Sequence, residues 1–112
     1  MDLSRQSERA VVAASVLALE QWAERLGSAG MAAMRALPAL HAAVDQHVAH
    51  IRAAVTDSHG RVHPAALAAY ADGVADTVTA RGWSARETSW ERPTWPSVHL
   101  LAVCVLAEAC GV

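Results

Sequence analysis

The sequence predicts an all-α protein, a compact four-helix bundle that forms a single helical domain over residues 1–112. Apolar residues recur at three- and four-residue steps along three long segments, which is the spacing of amphipathic helices. A fourth segment, Val98 to Ala107, is apolar except for His99 and therefore has no face suited to water. Alanine, the strongest helix former, is the commonest residue. We expect the apolar C-terminal helix to lie at the centre of the bundle.

Composition excludes several classes of protein. Hydrophobic residues make up 54% of the chain and charged residues 18%, which excludes intrinsic disorder. The net charge of −2 and the lack of a basic stripe argue against a nucleic-acid partner. The central apolar run is shorter than the roughly 20 residues that cross a bilayer, so we expect no membrane association. Residues 1–10 lack the pattern of a signal peptide, which predicts a cytoplasmic protein with two reduced cysteines.

The first helix is predicted from near Ser4 or Ser7 to about Leu26. Gly27 then occupies the place of a C-cap glycine, and residues 27–30 are predicted to be a short connector that reverses the chain. The apolar stripe of this helix consists of Val12, Val16, Leu19, Trp22, Ala23 and Leu26.

The second helix carries Pro38 inside its apolar pattern. Proline cannot donate a hydrogen bond to the preceding turn, and its ring presses against that turn. Either one long helix kinks near residue 37, or a helix of about 29–36 precedes one of 38–56. We favour the kink because the stripe keeps its phase across Pro38. The stripe consists of Met34, Leu37, Leu40, Val44, Val48, Ile51 and Val55.

The third helix should begin at Pro64, since proline is tolerated in a first turn, and end at Gly82. Gly73 weakens its middle by about 1 kcal/mol relative to alanine, and we interpret this glycine as permitting a close contact. Residues 82–96 form the longest irregular segment. Thr94 is the predicted N-cap of the last helix.

His99 and His41 are the candidate catalytic residues. His99 lies in the first turn of the apolar helix, and a buried imidazole needs hydrogen-bond partners for both nitrogens. The ordinary pKa of a histidine side chain is near neutrality, which also suits this residue type to carry protons. The alternative is a purely structural histidine. His41 lies at the edge of the stripe on the second helix, where its ring can bridge core and water.

Five of the six histidines lie between His41 and His63. His47 and His50 are three residues apart and could share a metal, with loop histidines completing the site. The alternative is that these are boundary histidines whose rings bridge core and water. Metal-binding bundles usually need more ligands, often from Glu-x-x-His patterns, and no such pattern occurs here. We therefore expect neither a metal nor a cofactor, and a metal-binding bundle is the third hypothesis. Cys104 is interpreted as a small hydrophobic residue.

Three tryptophans crowd the irregular segment before the last helix, interleaved with charged residues. Exposed indoles in such number are costly, so the segment should fold back over the end of the bundle. It either seals the core as a lid or forms the aromatic mouth of a ligand site, with Arg86 or Arg92 orienting an acidic group. The predicted ligand contacts are Trp83, Trp90, Trp95, Arg92 and Tyr70.

The C-terminal half contains a series of short motifs, which are Asp57, Gly60 to Val62, Leu67 to Gly73, Gly82, Trp83, Trp95 and Leu100 to Ala107. Through these motifs it resembles a family of short actinobacterial proteins of unassigned function that occur in natural-product gene clusters. The resemblance implies a setting in secondary metabolism, but no reaction and no catalytic residues. The absence of lysine, with arginine as the only basic residue besides histidine, also agrees with a GC-rich actinobacterial genome.

These patterns support two hypotheses of function. In the first, the protein binds a small, largely apolar molecule between the bundle end and the tryptophan segment, and possible chemistry is cofactor-free cyclisation or isomerisation with histidine as acid or base. In the second, a non-catalytic protein forms a homodimer or docks on a biosynthetic partner enzyme. Spare apolar surface for this second role would come from Val11, Leu17 and Leu101.

Overall fold

The computed structural model describes the backbone of residues 3–111 and the side chains of residues 9–111. A π-helical turn, Ala23–Gly27, joins the first two α-helical segments without a break, so the described chain forms four helical rods. This arrangement confirms the prediction of an all-α four-helix bundle. The α-helices are α1 (Leu3–Trp22), α2 (Ser28–Ala36), α3 (Pro38–Val55), α4 (Pro64–Ala80) and α5 (Trp95–Ala109).

Helix α5 is the centre of the bundle, as its sequence predicts. Residues 97–104 are all buried, and so are Leu106 and Ala107. The helix packs against α3, α4, the π-helical turn, α1 and α2. Because burying a leucine or valine side chain contributes about 2 kcal/mol, this one helix supplies much of the hydrophobic stabilisation.

The predicted connector at residues 27–30 is wrong, because this segment is helical. Gly27 has a φ of −60°, whereas a C-cap glycine needs a positive φ. Both glycines instead permit close approach to α5. A Cβ atom on Gly27 would lie 3.5 Å from the Cβ of Cys104, and one on Gly30 would lie 2.5 Å from the Cδ1 of Leu101.

The prediction of one helix kinked at Pro38 is also wrong. The structure has two separate helices, which was the alternative. Leu37 has φ −124° and ψ 91°, which is extended backbone, and it separates α2 from α3. A residue before proline is pushed out of the helical region by the proline ring. Pro38 then occupies the first turn of α3, where its missing N–H costs nothing.

The loop between α3 and α4 is braced by one carboxylate. One oxygen of Asp57 accepts hydrogen bonds from the backbone N–H groups of His59 and Arg61 at 2.8 and 2.9 Å. The other oxygen lies 2.7 Å from the Nε2 of His63. These bonds, led by that from Arg61, lower the pKa of Asp57. The loop delivers the chain to Pro64, which begins α4 as predicted.

The segment between α4 and α5 folds back over the bundle. Gly82, with a φ of 96°, ends the turn after α4. The buried Ser97 hydroxyl accepts a hydrogen bond from the indole N–H of Trp83 at 3.2 Å and lies 3.1 Å from the hydroxyl of Thr88. Thr94 stands at the predicted N-cap position of α5, although its side chain makes no capping bond. Within residues 3–111, none of the helices has the length and apolar character needed to span a membrane.

Candidate functional site

His99 links three helices through its ring. Only 1% of the residue is exposed, and both nitrogens have hydrogen-bond partners. Its Nδ1 lies 2.9 Å from the Nδ1 of His47 on α3, and its Nε2 lies 2.7 Å from the hydroxyl of Tyr70 on α4. We call these three residues the His–Tyr chain. Sequence reasoning required two partners for a buried imidazole, and the structure shows which residues they are.

The hydrogen bonds of the His–Tyr chain can run in either of two directions. A neutral imidazole carries one N–H, so a bond donated at one nitrogen requires a bond accepted at the other. In one direction the Tyr70 hydroxyl donates to His99, and His99 donates to His47. In the other direction His47 donates to His99, and His99 donates to the Tyr70 oxygen. A proton entering at one end can therefore leave at the other.

Burial keeps the His–Tyr chain uncharged at neutral pH. Loss of water, followed by the charges of His47 and His50, lowers the pKa of His99 to about 4. The pKa of His47 is lowered mainly by burial and secondarily by His50. Burial raises the pKa of Tyr70, so its hydroxyl stays protonated. This neutral chain can transmit a proton, but a charge left on His99 is unfavourable.

Trp95 covers the imidazole of His99. The two rings are stacked, with centroids 4.2 Å apart and planes inclined by 17°. The indole also lies 6.0 Å from the ring of His47. More than half of Trp95, 54%, remains exposed. One face of the indole therefore shields His99 from water while the rest of the side chain is free to contact a ligand.

An open groove of about 950 Å³ runs alongside the His–Tyr chain. One face of α4 forms a wall, and the opposite wall comes from Trp83 and residues 94–96. Tyr70 lines this groove while its hydroxyl contacts His99, so Tyr70 connects the groove with the buried imidazole. The lining residues are mostly apolar and consist of Ala69, Tyr70, Gly73, Val74, Thr77, Val78, Arg81, Gly82, Trp83, Thr94, Trp95 and Pro96.

The structure brings together three of the five predicted ligand contacts. Tyr70, Trp83 and Trp95 line the groove, and Trp83 also packs against Trp22 with ring centroids 6.4 Å apart. Trp90 lies elsewhere, near Gly30 on α2.

The arginines expected to orient an acidic group lie outside the groove. Arg92 is exposed and does not line it. Arg86 borders a separate depression beside Trp22 and Trp83. His41, the second candidate catalytic residue, is also exposed, and its Nε2 lies 3.7 Å from the carboxylate of Asp45. It is not part of the His–Tyr chain.

Two residues at this site were not selected from the sequence. His47 was considered as a metal ligand or as a boundary histidine whose ring bridges core and water, but not as a partner of His99. Arg81 shares a helical face with Tyr70, since eleven residues correspond to about three turns. That shared face was the signal that could have placed Arg81 in the groove.

Metal and thiol chemistry find little support in the described part of the chain. Between residues 9 and 111, no three histidine, cysteine, aspartate or glutamate side chains cluster in a way that could hold a metal ion. Cys104 is buried, and burial raises its pKa to about 12, so its thiol stays protonated and packs as an apolar group.

The fold and the site define a small all-α protein in which a buried histidine–tyrosine chain borders an apolar groove. The chain belongs to DUF6401, a family of unknown function whose model matches residues 38–112. The matched region begins at the first residue of α3 and contains the whole His–Tyr chain and the groove. No curated protein and no solved structure matches the sequence.

Proposed function

We propose that the groove binds a small, largely apolar molecule between Trp83 and Trp95. The observation that carries this proposal is a mostly apolar groove of about 950 Å³ with an indole on one wall and a half-exposed indole at its edge. Small-molecule sites are typically of this size and character, with a few polar groups that set orientation. Tyr70 supplies such a group from the wall of the groove.

The His–Tyr chain provides acid–base chemistry for this ligand without a cofactor. When the Tyr70 hydroxyl donates to His99, its oxygen can accept a proton from the ligand. The tyrosine proton then moves to Nε2 of His99, and the Nδ1 proton of His99 moves to His47. Because His47 is partly exposed, the positive charge ends where water can stabilise it. Isomerisation and cyclisation both begin with proton transfers of this kind.

The proposed setting is secondary metabolism in the cytoplasm of an actinobacterium. The resemblance carried by the C-terminal residues and the lysine-free composition support this setting. The DUF6401 match covers the same part of the chain and leaves the reaction open.

Binding can be tested with N-phenyl-1-naphthylamine, a neutral aromatic probe whose fluorescence increases in apolar surroundings. We expect the wild-type protein to bind it, and Gly73→Leu to weaken binding at least tenfold by filling the groove from α4. Asp72→Leu is the matched control, because it adds the same side chain at the neighbouring exposed position, which does not line the groove. Absence of probe binding, or equal affinity in both variants, would contradict the proposal.

Proton transfer can be tested with 2-tetralone, a flat neutral ketone with acidic C–H bonds. The measurement is hydrogen–deuterium exchange at those carbons in deuterated buffer, followed by NMR. Since a positioned acid or base contributes typically 100-fold or more, we expect roughly 100-fold slower protein-dependent exchange in Tyr70→Phe, with unchanged circular dichroism. Exchange no faster than in buffer, or unaffected by Tyr70→Phe, would exclude the chemical role and leave the binding proposal standing.

The alternative function is a homodimer formed through the outer face of α1. Val12 and Leu17 on this face are 47% and 55% exposed, and neighbouring Val11 is 53% exposed. The prediction that Leu101 contributes to this surface is wrong, because Leu101 is completely buried.

The occupant favoured for this surface is a second copy of the chain. If two α1 helices pair in antiparallel orientation about a point between residues 14 and 15, Arg9 of each copy lies opposite Glu20 of the other. This pairing would form two ion pairs of opposite charge. Light scattering after size exclusion tests this pairing. A dimer that Leu17→Glu converts to monomer supports it, and a wild-type monomer at 100 µM contradicts it.

A further inference from the structure

Arg81 is the one charged residue among the described residues that line the groove. It follows the last turn of α4, as the C-cap residue. No aspartate or glutamate lines the groove, and within residues 9–111 no carboxylate forms an ion pair with its guanidinium. The groove is therefore an apolar site with a positive charge at one end.

Tyr70 and Arg81 mark the two ends of the α4 wall. They are separated by eleven residues, which correspond to about 16 Å along a helix. Gly73, Val74 and Thr77 line the wall between them. This length accommodates a body of two or three fused rings with Tyr70 near one end and Arg81 at the other.

Gly73 leaves space on this wall that no described residue fills. A Cβ atom built on it would meet no described atom beyond its own stretch of helix within 4 Å. Its φ is not positive, so neither backbone conformation nor a contact with another element accounts for a glycine here. The close contact that the sequence predicts at Gly73 is not made by any residue that the structure describes. A flat ligand could instead approach the bare helix backbone at this point.

We propose that the groove selects a flat, apolar molecule with a single acidic group, whose body lies over Gly73 between the two indoles and whose carboxylate or sulfonate binds Arg81. This inference rests on the proposed function, because it names the ligand class of the same groove. The planar guanidinium presents parallel N–H donors that match the two oxygens of a carboxylate. Arg86 and Arg92 do not line the groove and cannot take this role.

The test compares two competitors of nearly the same shape, one with a negative charge and one neutral. Displacement of N-phenyl-1-naphthylamine is measured with 2-naphthoate and with 2-naphthamide at pH 7, where the acid is ionised. We expect 2-naphthoate to compete at roughly fivefold lower concentration, as one charge-assisted contact at an open site allows. Salt at 0.5 M should reduce this preference, because it screens exposed charges.

Two arginine variants locate the charge that causes the preference. Arg81→Gln should abolish the difference between the competitors and leave the probe and 2-naphthamide unaffected. Arg92→Gln removes an exposed arginine outside the groove and should preserve the difference between the two competitors.

The outcomes separate this inference from the proposed function. If the probe binds but the two competitors are equal, or if Arg81→Gln weakens both equally, the acidic ligand is excluded and the apolar site stands. If the probe does not bind at all, the proposed function fails and the inference fails with it.

Discussion

Two of the helices that pack against α5 differ in the surroundings of their glycines. We call the face of α2 where Gly30 meets α5 the closed flank, and the groove-lining face of α4 where Gly73 lies the open flank. On the closed flank, a Cβ on Gly30 would lie 2.5 Å from Leu101 and 3.0 Å from Trp90. On the open flank, a Cβ on Gly73 would meet no described atom beyond its own stretch of helix within 4 Å. The closed flank is filled by protein atoms, whereas the open flank borders the groove.

The comparison shows that glycine has two different surroundings, packed against α5 at one position and open to the groove at the other. Each glycine weakens its own helix by about 1 kcal/mol relative to alanine. At Gly30 the close packing of α2 on α5 offsets that cost. At Gly73 no contact with another described element does so, and the proposed ligand would occupy this space. Substitutions at these two positions should therefore have opposite effects.

The largest effect is expected on the closed flank. Gly30→Val should lower the free energy of unfolding by about 3 kcal/mol, because overpacking a filled core forces neighbouring side chains from their rotamers. Urea denaturation followed by circular dichroism measures this loss.

A double variant shows whether Leu101 is the obstructing neighbour. Leu101→Ala removes the methyl groups that the new side chain would strike, so the two substitutions together should destabilise less than the sum of the separate effects. Strictly additive losses would mean that the closed flank has room to spare. If Gly30→Val does not fold, Gly30→Ala should show a smaller loss of the same sign.

The next largest effect concerns His99 in the buried His–Tyr chain beside the groove. The pKa of His99 falls from 6.5 to about 4 on folding, so the unfolded chain binds a proton over the intervening range and the folded protein does not. The contribution of the neutral imidazole to the free energy of unfolding is fully present above pH 6.5. It is lost as the pH falls towards 4. The loss from this residue is about 3 kcal/mol, and His47 adds a loss of the same sign.

Thermal unfolding measured between pH 7.5 and 4.5 gives the slope of stability against pH. We expect this slope to be smaller in His99→Gln. An NMR titration of the His99 ring in the wild-type protein gives the same answer without a variant. An unchanged slope in His99→Gln, or a ring that titrates near pH 6.5, would contradict the assignment of this pH dependence to His99.

The smallest effect, opposite in sign, is expected on the open flank. Gly73→Ala should raise the free energy of unfolding by about 1 kcal/mol, because alanine favours the helix and its methyl group enters empty space. The transition temperature should rise by roughly 4 °C. A destabilised Gly73→Ala protein would show that something packs against this position and would remove the contrast between the flanks.

Local patterns predicted the helices more reliably than the joints between them. The run from Val98 to Ala107 predicted its own burial, since no face of it tolerates water. Gly27 looked like a helix terminator, but its role depends on Cys104, which is 77 residues later in the chain. Pro38 left two outcomes open, and the observed break follows from the restricted backbone of Leu37.

The candidate site was predicted only in part. His99 was placed in the core with two required partners, because a buried imidazole must be satisfied. The identity of those partners, His47 and Tyr70, depends on how α3 and α4 rotate about α5. The groove likewise contains Arg81 in place of Arg86 or Arg92, since the path of the irregular segment decides which arginine reaches it.

The sequence by itself determined the helical class, the central position of α5 and the need to satisfy the polar groups of His99. These properties follow from the spacing and the solvation of neighbouring residues. Only the tertiary structure decided which glycine packs against another helix and which borders the groove. It also decided which side chains form hydrogen bonds with His99. Those outcomes depend on distances between segments far apart in the chain, and no local pattern encodes them.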